Sequence, residues 1–166
     1  MGIDSTLAVL KHRLNHQEQR LPITIVKQYG ELPRVKCWAG QLNQVFMNLL
    51  MNAIDALELS LTDQYLEHRL LQDPDFQPQI TIITERVNNT MVAVRIRDNG
   101  CGIPAGVQAQ IFNPFFTTKP VGKGTGMGLA ISYQIIVDRH HGHLICNSVE
   151  NQGTELKLTL PIQITR

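Results

Sequence analysis

Between Gln41 and Leu59, apolar residues recur every three or four positions: Leu42, Val45, Phe46, Leu49, Leu50, Ala53, Ile54 and Leu57. That period belongs to a helix, and so continuous a stripe has to be buried against a second layer. Along one edge of the same helix stand Asn48, Asn52 and Asp55, at i, i+4 and i, i+3 steps, so the three share a face. Asn is a mediocre helix former, which leaves two readings of this edge: a solvated rim or a site.

The layer that covers the helix is written around it. Ile23–Tyr29 (ITIVKQY) is β-branched and alternating, and Arg34–Trp38 (RVKCW) reads as a second short strand after a turn bracketed by Gly30 and Pro33. Gln79–Val87 and Thr90–Asp98 alternate on either side of Asn88-Asn89, the pattern of an antiparallel hairpin. His143–Glu150 and Gly153–Ile162 form another such pair. Shorter helices are expected over residues 4–14, before Pro74 in an excursion spanning 60–78, over Val107–Ile111, and from Met127 to His140. Hairpins interleaved with helices predict an α+β fold, a two-layer sandwich with a mixed, mostly antiparallel sheet packed against helices.

Composition narrows the class. At 166 residues, with 43% hydrophobic and 17% charged, the chain is long enough for one core and too apolar for a disordered segment or a coiled coil. Fifteen basic against 14 acidic residues leave a net charge of +1, so there is no basic field to drive nonspecific nucleic-acid binding. Three cysteines with no C-x-x-C pair point to free thiols in a reducing, cytoplasmic setting. No apolar run approaches the ~18 residues of a membrane span, and the polar start with Asp4 is unlike a signal peptide.

Three further features carry polar chemistry: Asp98-x-Gly100-x-Gly102, the loop Asn113–Gly128 that ends Gly124-Thr125-Gly126-Met127-Gly128-Leu129, and Gly153-Thr154 ahead of the last strand. Each glycine costs roughly 0.5–1 kcal/mol of backbone entropy relative to Ala, so a glycine-dense loop needs a return. Backbone N–H groups converging where such a loop enters a helix form an anion site. The usual phosphate motifs do not fit. No G-x-x-x-x-G-K-[ST] string occurs. Gly100–Ala105 matches a dinucleotide fingerprint by letter, but no acid lies near 118–126 to hold a ribose, and the protein-kinase strings are missing.

Taken in order, these segments resemble the ATP-binding domain of sensor histidine kinases, in the GHKL superfamily shared with gyrase, the large heat-shock chaperone ATPases and the mismatch-repair ATPases. Asn48–Leu57 (NLLMNAIDAL) is similar to the family's N box, Asp98–Pro104 (DNGCGIP) to its first glycine box, Ile111–Lys119 (IFNPFFTTK) to its F box, Gly122–Leu129 (GKGTGMGL) to its second glycine box, and Gly153–Pro161 to the closing strand. The resemblance covers about residues 20–162. It implies ATP and Mg²⁺ as cofactors. It also implies nucleotide contacts from Asn48, Asn52, Asp55, Asp98, Gly100, Gly102, Ile103, Phe116, Lys119, Gly124, Thr125, Gly126, Met127, Gly128, Leu129 and Thr154. Asp98 would accept a hydrogen bond from the adenine amino group, Gly100 and Gly102 would let backbone approach the base, and Thr154 would sit near both. Asn52 would ligate the metal through its amide oxygen, and Asn48 would reach phosphate or the metal's water. Phe115–Thr125 would be a mobile lid, with Lys119 or Lys123 neutralising phosphate charge and Gly124, Gly126 and Gly128 cradling it.

Two positions depart from the wider pattern. The hydrolysing branches carry a Glu that activates water four residues before the metal-binding Asn, whereas here stands Asn48, which accepts no proton near neutral pH. Many histidine kinases carry a basic residue three after that Asn; here stands Asp55, expected either to meet the metal through water or to face solvent. None of the six histidines lies in an H-E-x-R-x-P context. The expectation is therefore a catalytic module over 21–166, with 1–20 as a linker after a dimerisation domain on which the phosphoacceptor histidine resides. Its implied partners are that domain and a response regulator, in a homodimeric parent that is cytoplasmic or membrane-anchored. The competing readings are an ATPase clamp of the gyrase or chaperone kind, and a nucleotide-binding interaction module without phosphoryl transfer.

Overall fold

The computed structural model describes residues 2–15, 21–119, 121–122 and 124–163. Its elements run α1 (Ile3–Leu14), β1 (Thr24–Tyr29), α2 (Ala39–Ser60), α3 (Asp63–Gln72), β2 (Gln79–Arg86), β3 (Met91–Asp98), α4 (Ala105–Gln108), α5 (Gly128–Tyr133), β4 (His143–Val149) and β5 (Gly153–Pro161). After α5 the helix continues through Gln134–Arg139 in wider π turns. The strands form one sheet in the order β1-β2-β3-β5-β4; β1 pairs with β2 in parallel and every other pair is antiparallel. The α+β class and the mixed, mostly antiparallel sheet packed on helices are as the sequence leads one to expect.

The long helix organises the core. Val45, Leu49, Leu50, Ile54 and Leu57 of α2 are fully buried, in one cluster with Ile80 and Ile82 of β2, Ile96 of β3, Leu144 of β4 and Leu156 and Leu158 of β5. Each such side chain removed from water contributes roughly 1.5–3 kcal/mol. Strand alternation puts these residues on the helical side and leaves Arg95, Arg97, Glu155 and Lys157 on the other, where Glu155 pairs with both arginines. Leu7, Leu10 and Leu14 of α1 join the same core cluster, and Arg13 reaches Glu58 of α2 at 2.5 Å. The described part of the expected linker thus packs onto the domain; residues 16–20, His16 among them, lie outside the described residues.

Residues 34–38 are not a strand. Lys36 donates its N–H to Ile162 O at 2.9 Å, but no ladder forms; Val35 and Cys37 alternate because they dock on the core, and Pro33 has no N–H to start a pairing. The expected helix at 107–111 is instead Ala105–Gln108. His140 ends the π turns fully buried. Its Nδ1 faces Ile135 O at 2.8 Å and must donate, while Nε2 accepts the Trp38 N–H at 3.2 Å, so the ring is the neutral Nδ1–H tautomer. It ties the start of α2 to the end of the π turns that follow α5.

Candidate functional site

The strand registers place Ile80, Asp98, Thr154 and Ser148 side by side in one row across β2, β3, β5 and β4, at the end of the helical face of the sheet. Inside this row, where the next row above is Ile82, Ile96, Leu156 and Cys146, stands a carboxylate. Asp98 is 6% exposed, and its Oδ1 accepts the Gly100 N–H at 2.9 Å. Burial pushes its pKa up to about 6, with the backbone N–H groups of Gly100 and Thr154 pulling the other way. A cavity of about 460 Å³ opens beside it, lined by Asp98, Thr154, Ser148 and Cys146 and also by Arg97, Asn147 and Glu155, which strand alternation puts on the opposite face; among the described residues, none of α2 or of the glycine-dense loop lines it. Cys146 is raised to about 11 by burial and by the neighbouring Asp98 charge, so its thiol stays protonated.

The first glycine box serves packing. A Cβ on Gly100 would lie 2.9 Å from the Ala56 backbone of α2, and Gly102, at φ +69°, would put one 2.1 Å from Val149 O. In this structure the two glycines let the turn press onto α2 and onto the β4–β5 turn. Ile103, half-buried, has its N–H accepted by Ser148 Oγ at 2.8 Å, and Gln108 Nε2 donates to Ile103 O and Ser148 O at 2.8 and 2.9 Å. Ser148 Oγ also lies 2.8 Å from Thr154 Oγ1. Ser148 and Gln108 thus hold the wall beside Asp98, yet neither stands in a recognisable box. The alternation of β4 would have placed Ser148 on this face; nothing in the sequence singles out Gln108.

On α2, Asn48, Asn52 and Asp55 do share a face, but with three different occupations. Asn48 Nδ2 donates to Gly128 O at 3.1 Å and Ser132 Oγ at 3.2 Å, so in this structure it clamps the first turn of α5. A Cβ on Gly128 would stand 3.7 Å from the Asn48 side chain, an ordinary contact. The side chain of Asn52, half-buried, makes no hydrogen bond among the described residues. Asp55 is held between two cations: Oδ1 accepts from Arg13 at 2.8 Å, and Oδ2 pairs with Lys119 of the expected lid. Lys119 is therefore engaged with α2 in this state, and Lys123 lies outside the described residues. In the second glycine box, Gly124 packs on the Thr117 and Lys119 side chains and Gly126 on the Phe115 backbone, so the two limbs of the loop lie against each other. Phe116 is half-buried and Thr125 exposed; Met127 and Leu129 are half-buried at the entry to α5, with Leu129 against the core. Among the described residues no three His, Cys, Asp or Glu side chains converge as a metal cluster.

Residues 39–164 match the family described as "Histidine kinase-, DNA gyrase B-, and HSP90-like ATPase". The chain belongs to this family. Among curated family relatives, sensor kinase CckA of Brucella abortus is 37% identical over 139 residues, 76% of this chain and 13% of that protein. The histidine-protein kinase AtoS of Escherichia coli is 37% identical over 133 residues, 80% of this chain and 19% of its own. The chain thus spans well under two thirds of these relatives. Among solved structures, the nucleotide-free catalytic domain of histidine kinase ThkA superposes with a TM-score of 0.73 at 26% identity, covering 97% of this chain and 92% of that one. A structure of ThkA in complex with the response regulator TrrA gives 0.68 at 25% identity, covering 96% of this chain and 39% of that one. No single helix among the described residues is long and apolar enough to cross a membrane.

Proposed function

We propose that this chain is the ATP-binding catalytic module of a two-component sensor histidine kinase. In this reading it donates the γ-phosphoryl of ATP to a histidine on a separate dimerisation domain. One observation carries the reading: a carboxylate, Asp98, is held almost out of water at the end of the helical face of the sheet, with Thr154 beside it. A buried acceptor-only group is costly unless something donates to it, and the adenine amino group is such a donor.

The rest of the reaction follows from the neighbouring residues. Asn52 offers an amide oxygen with no partner among the described residues. That is a hard donor suited to Mg²⁺, which takes one or two protein oxygens and fills its shell with phosphate and water, so a site without a carboxylate cluster fits this ion. Bound there, Mg²⁺ would supply charge neutralisation on the phosphates. Lys119, released from Asp55, would add a second positive charge from the lid. Catalysis is then positioning plus electrostatics, as in phosphoryl transfer generally. Asn48 supplies no general base and its amide is occupied by α5, so attack by water is left unassisted and transfer to an external nucleophile is favoured over clamp-type hydrolysis.

The partners in this reading are the dimerisation and phosphoacceptor domain, preceding α1, and a downstream response regulator; the parent protein acts as a homodimer at the cytoplasmic side, free or membrane-anchored. Two measurements test it. A non-hydrolysable ATP analogue should bind the isolated chain with Mg²⁺ and lose most of its affinity in Asp98→Asn. Fusion to a dimerisation domain carrying a phosphoacceptor histidine should yield phosphohistidine from ATP. Equal analogue binding by both proteins refutes the adenine assignment, and hydrolysis without phosphohistidine favours the clamp ATPase.

A further inference from the structure

Helix α3 carries none of the boxes, and the sequence presents it as a surface excursion. Its Arg69 nevertheless points inward. The guanidinium lies 4.5 Å from the ring centroid of Phe76, which is 3% exposed, and spans two turns at once. Nη1 donates to Asn151 O in the β4–β5 turn, and Nη2 donates to Asn99 O at 3.0 Å, directly after Asp98. These are the two turns on either side of the buried carboxylate. They touch where Gly153 lies so near Asp98 that a Cβ would stand 2.1 Å from Asp98 O. They are also tied by Asn151 N–H to Cys101 O at 2.6 Å.

The Asn99 contact has a specific chemical consequence. Asn99 O and the Gly100 N–H belong to one peptide plane, and in a trans peptide they point in opposite directions. Arg69 takes the carbonyl end of that plane, and Asp98 Oδ1 takes its N–H end at 2.9 Å. A cation on the oxygen both fixes the plane and polarises it, which strengthens the N–H as a donor. The side chain of Asn99 holds the same turn from the other side, accepting the Gln79 N–H and donating to Gln77 O, both at 2.8 Å.

We infer that Arg69 is a positioning residue for adenine recognition, acting through the Asn99–Gly100 peptide to aim and keep ionised the carboxylate of Asp98. This rests on the reading of Asp98 as the adenine acceptor. It makes α3 an accessory of the nucleotide site. A fork that reaches two carbonyls while stacking on a ring is a task for Arg and not for Lys. Among the described residues, the other titratable groups coupled to Asp98 are the thiols of Cys101 and Cys146, both raised by burial and then by the Asp98 charge; the terminal phosphate of the analogue titrates alike with every variant, so a shift of the acid limb between variants reports Asp98.

The experiment titrates the whole chain with a non-hydrolysable ATP analogue between pH 5 and 8, in wild type, Arg69→Met, Arg69→Lys and Asp98→Asn. Loss of the fork should weaken binding about tenfold at neutral pH. It should also move the midpoint of the acid limb upward, because the Gly100 N–H is no longer fixed and polarised towards the carboxylate; Arg69→Lys should show the same upward shift, smaller. A purely structural Arg69 would lower thermal stability and leave that midpoint in place, and this result overturns the inference. Should Arg69→Met fail to fold, Arg69→Lys gives the same reading. If Asp98→Asn binds as wild type does, the adenine assignment itself fails. If Asp98→Asn loses binding while both Arg69 variants keep wild-type affinity and midpoint, the inference about Arg69 alone is overturned.

Discussion

Replacing Asp98 by Asn should make the ligand-free protein more stable while destroying its proposed use. The carboxyl titrates at about 6 in the folded chain, against an ordinary aspartate value of 3.8, because burial disfavours the charge. The folded state therefore binds this proton more tightly than the unfolded state, and stability falls as pH rises from about 4 to about 6. Above that window the full cost remains. A shift of about two units corresponds to about 3 kcal/mol held against the fold at neutral pH. Asn keeps an oxygen for the Gly100 N–H and carries no charge, but its new N–H₂ group has to find acceptors, so ~3 kcal/mol is an upper bound. Urea unfolding measured from about pH 4 to 8 should show the variant ahead of wild type at about pH 7.5 by about 1–3 kcal/mol, with the gap closing towards pH 4. Saturating nucleotide should reverse the order, since only the wild type gains binding free energy. A variant that is less stable at every pH, or whose advantage does not change with pH, would refute the reasoning that a desolvated charge sits at this position.

Other substitutions test the surrounding geometry. Asn48→Asp keeps the shape but turns a donor into an acceptor facing Gly128 O and Ser132 Oγ; it should cost about 1–3 kcal/mol in urea unfolding, where a merely solvated Asn would cost nothing. Asp55→Asn should release Lys119 and tighten ATP-analogue binding about two- to fivefold, with the gain shrinking as salt is raised; an unchanged affinity would mean that Lys119 never turns to phosphate. Gly102→Ala forces a Cβ into Val149 O at a positive φ and should lower the thermal midpoint by more than any exposed Gly→Ala change, such as Gly106→Ala, where nothing lies within 4 Å.

The periodicity of α2 and the alternation of the strands were enough to read the two layers, because burial of an apolar stripe or face leaves a repeat that needs no knowledge of its partner. The short connections were not legible in the same way. Residues 34–38 alternate like a strand, yet their alternation records docking on the core, and a sequence window does not distinguish a core contact from a hydrogen-bonded neighbour. The boxes were legible as strings, and Asp98 and Thr154 do come together across β3 and β5. The occupations of Asn48, Asp55 and Lys119 were not legible, because each depends on a partner 64 or more residues away, Gly128 for Asn48 and Lys119 for Asp55.

What the sequence settles by itself is local and repetitive: which of the long periodic stretches are helices and strands, that Asn48, Asn52 and Asp55 share a face, and that a glycine-dense loop leads into a helix. The tertiary structure alone decides which polar groups are already satisfied. It gives Asn48 to α5, joins Asp55 to both Arg13 and Lys119, leaves Asn52 without a partner among the described residues, and brings Arg69 from α3 onto the peptide beside Asp98. The reason is physical. A hydrogen bond or ion pair is set by distances of about 3 Å between atoms that the chain brings together only when the sheet order β1-β2-β3-β5-β4 is complete.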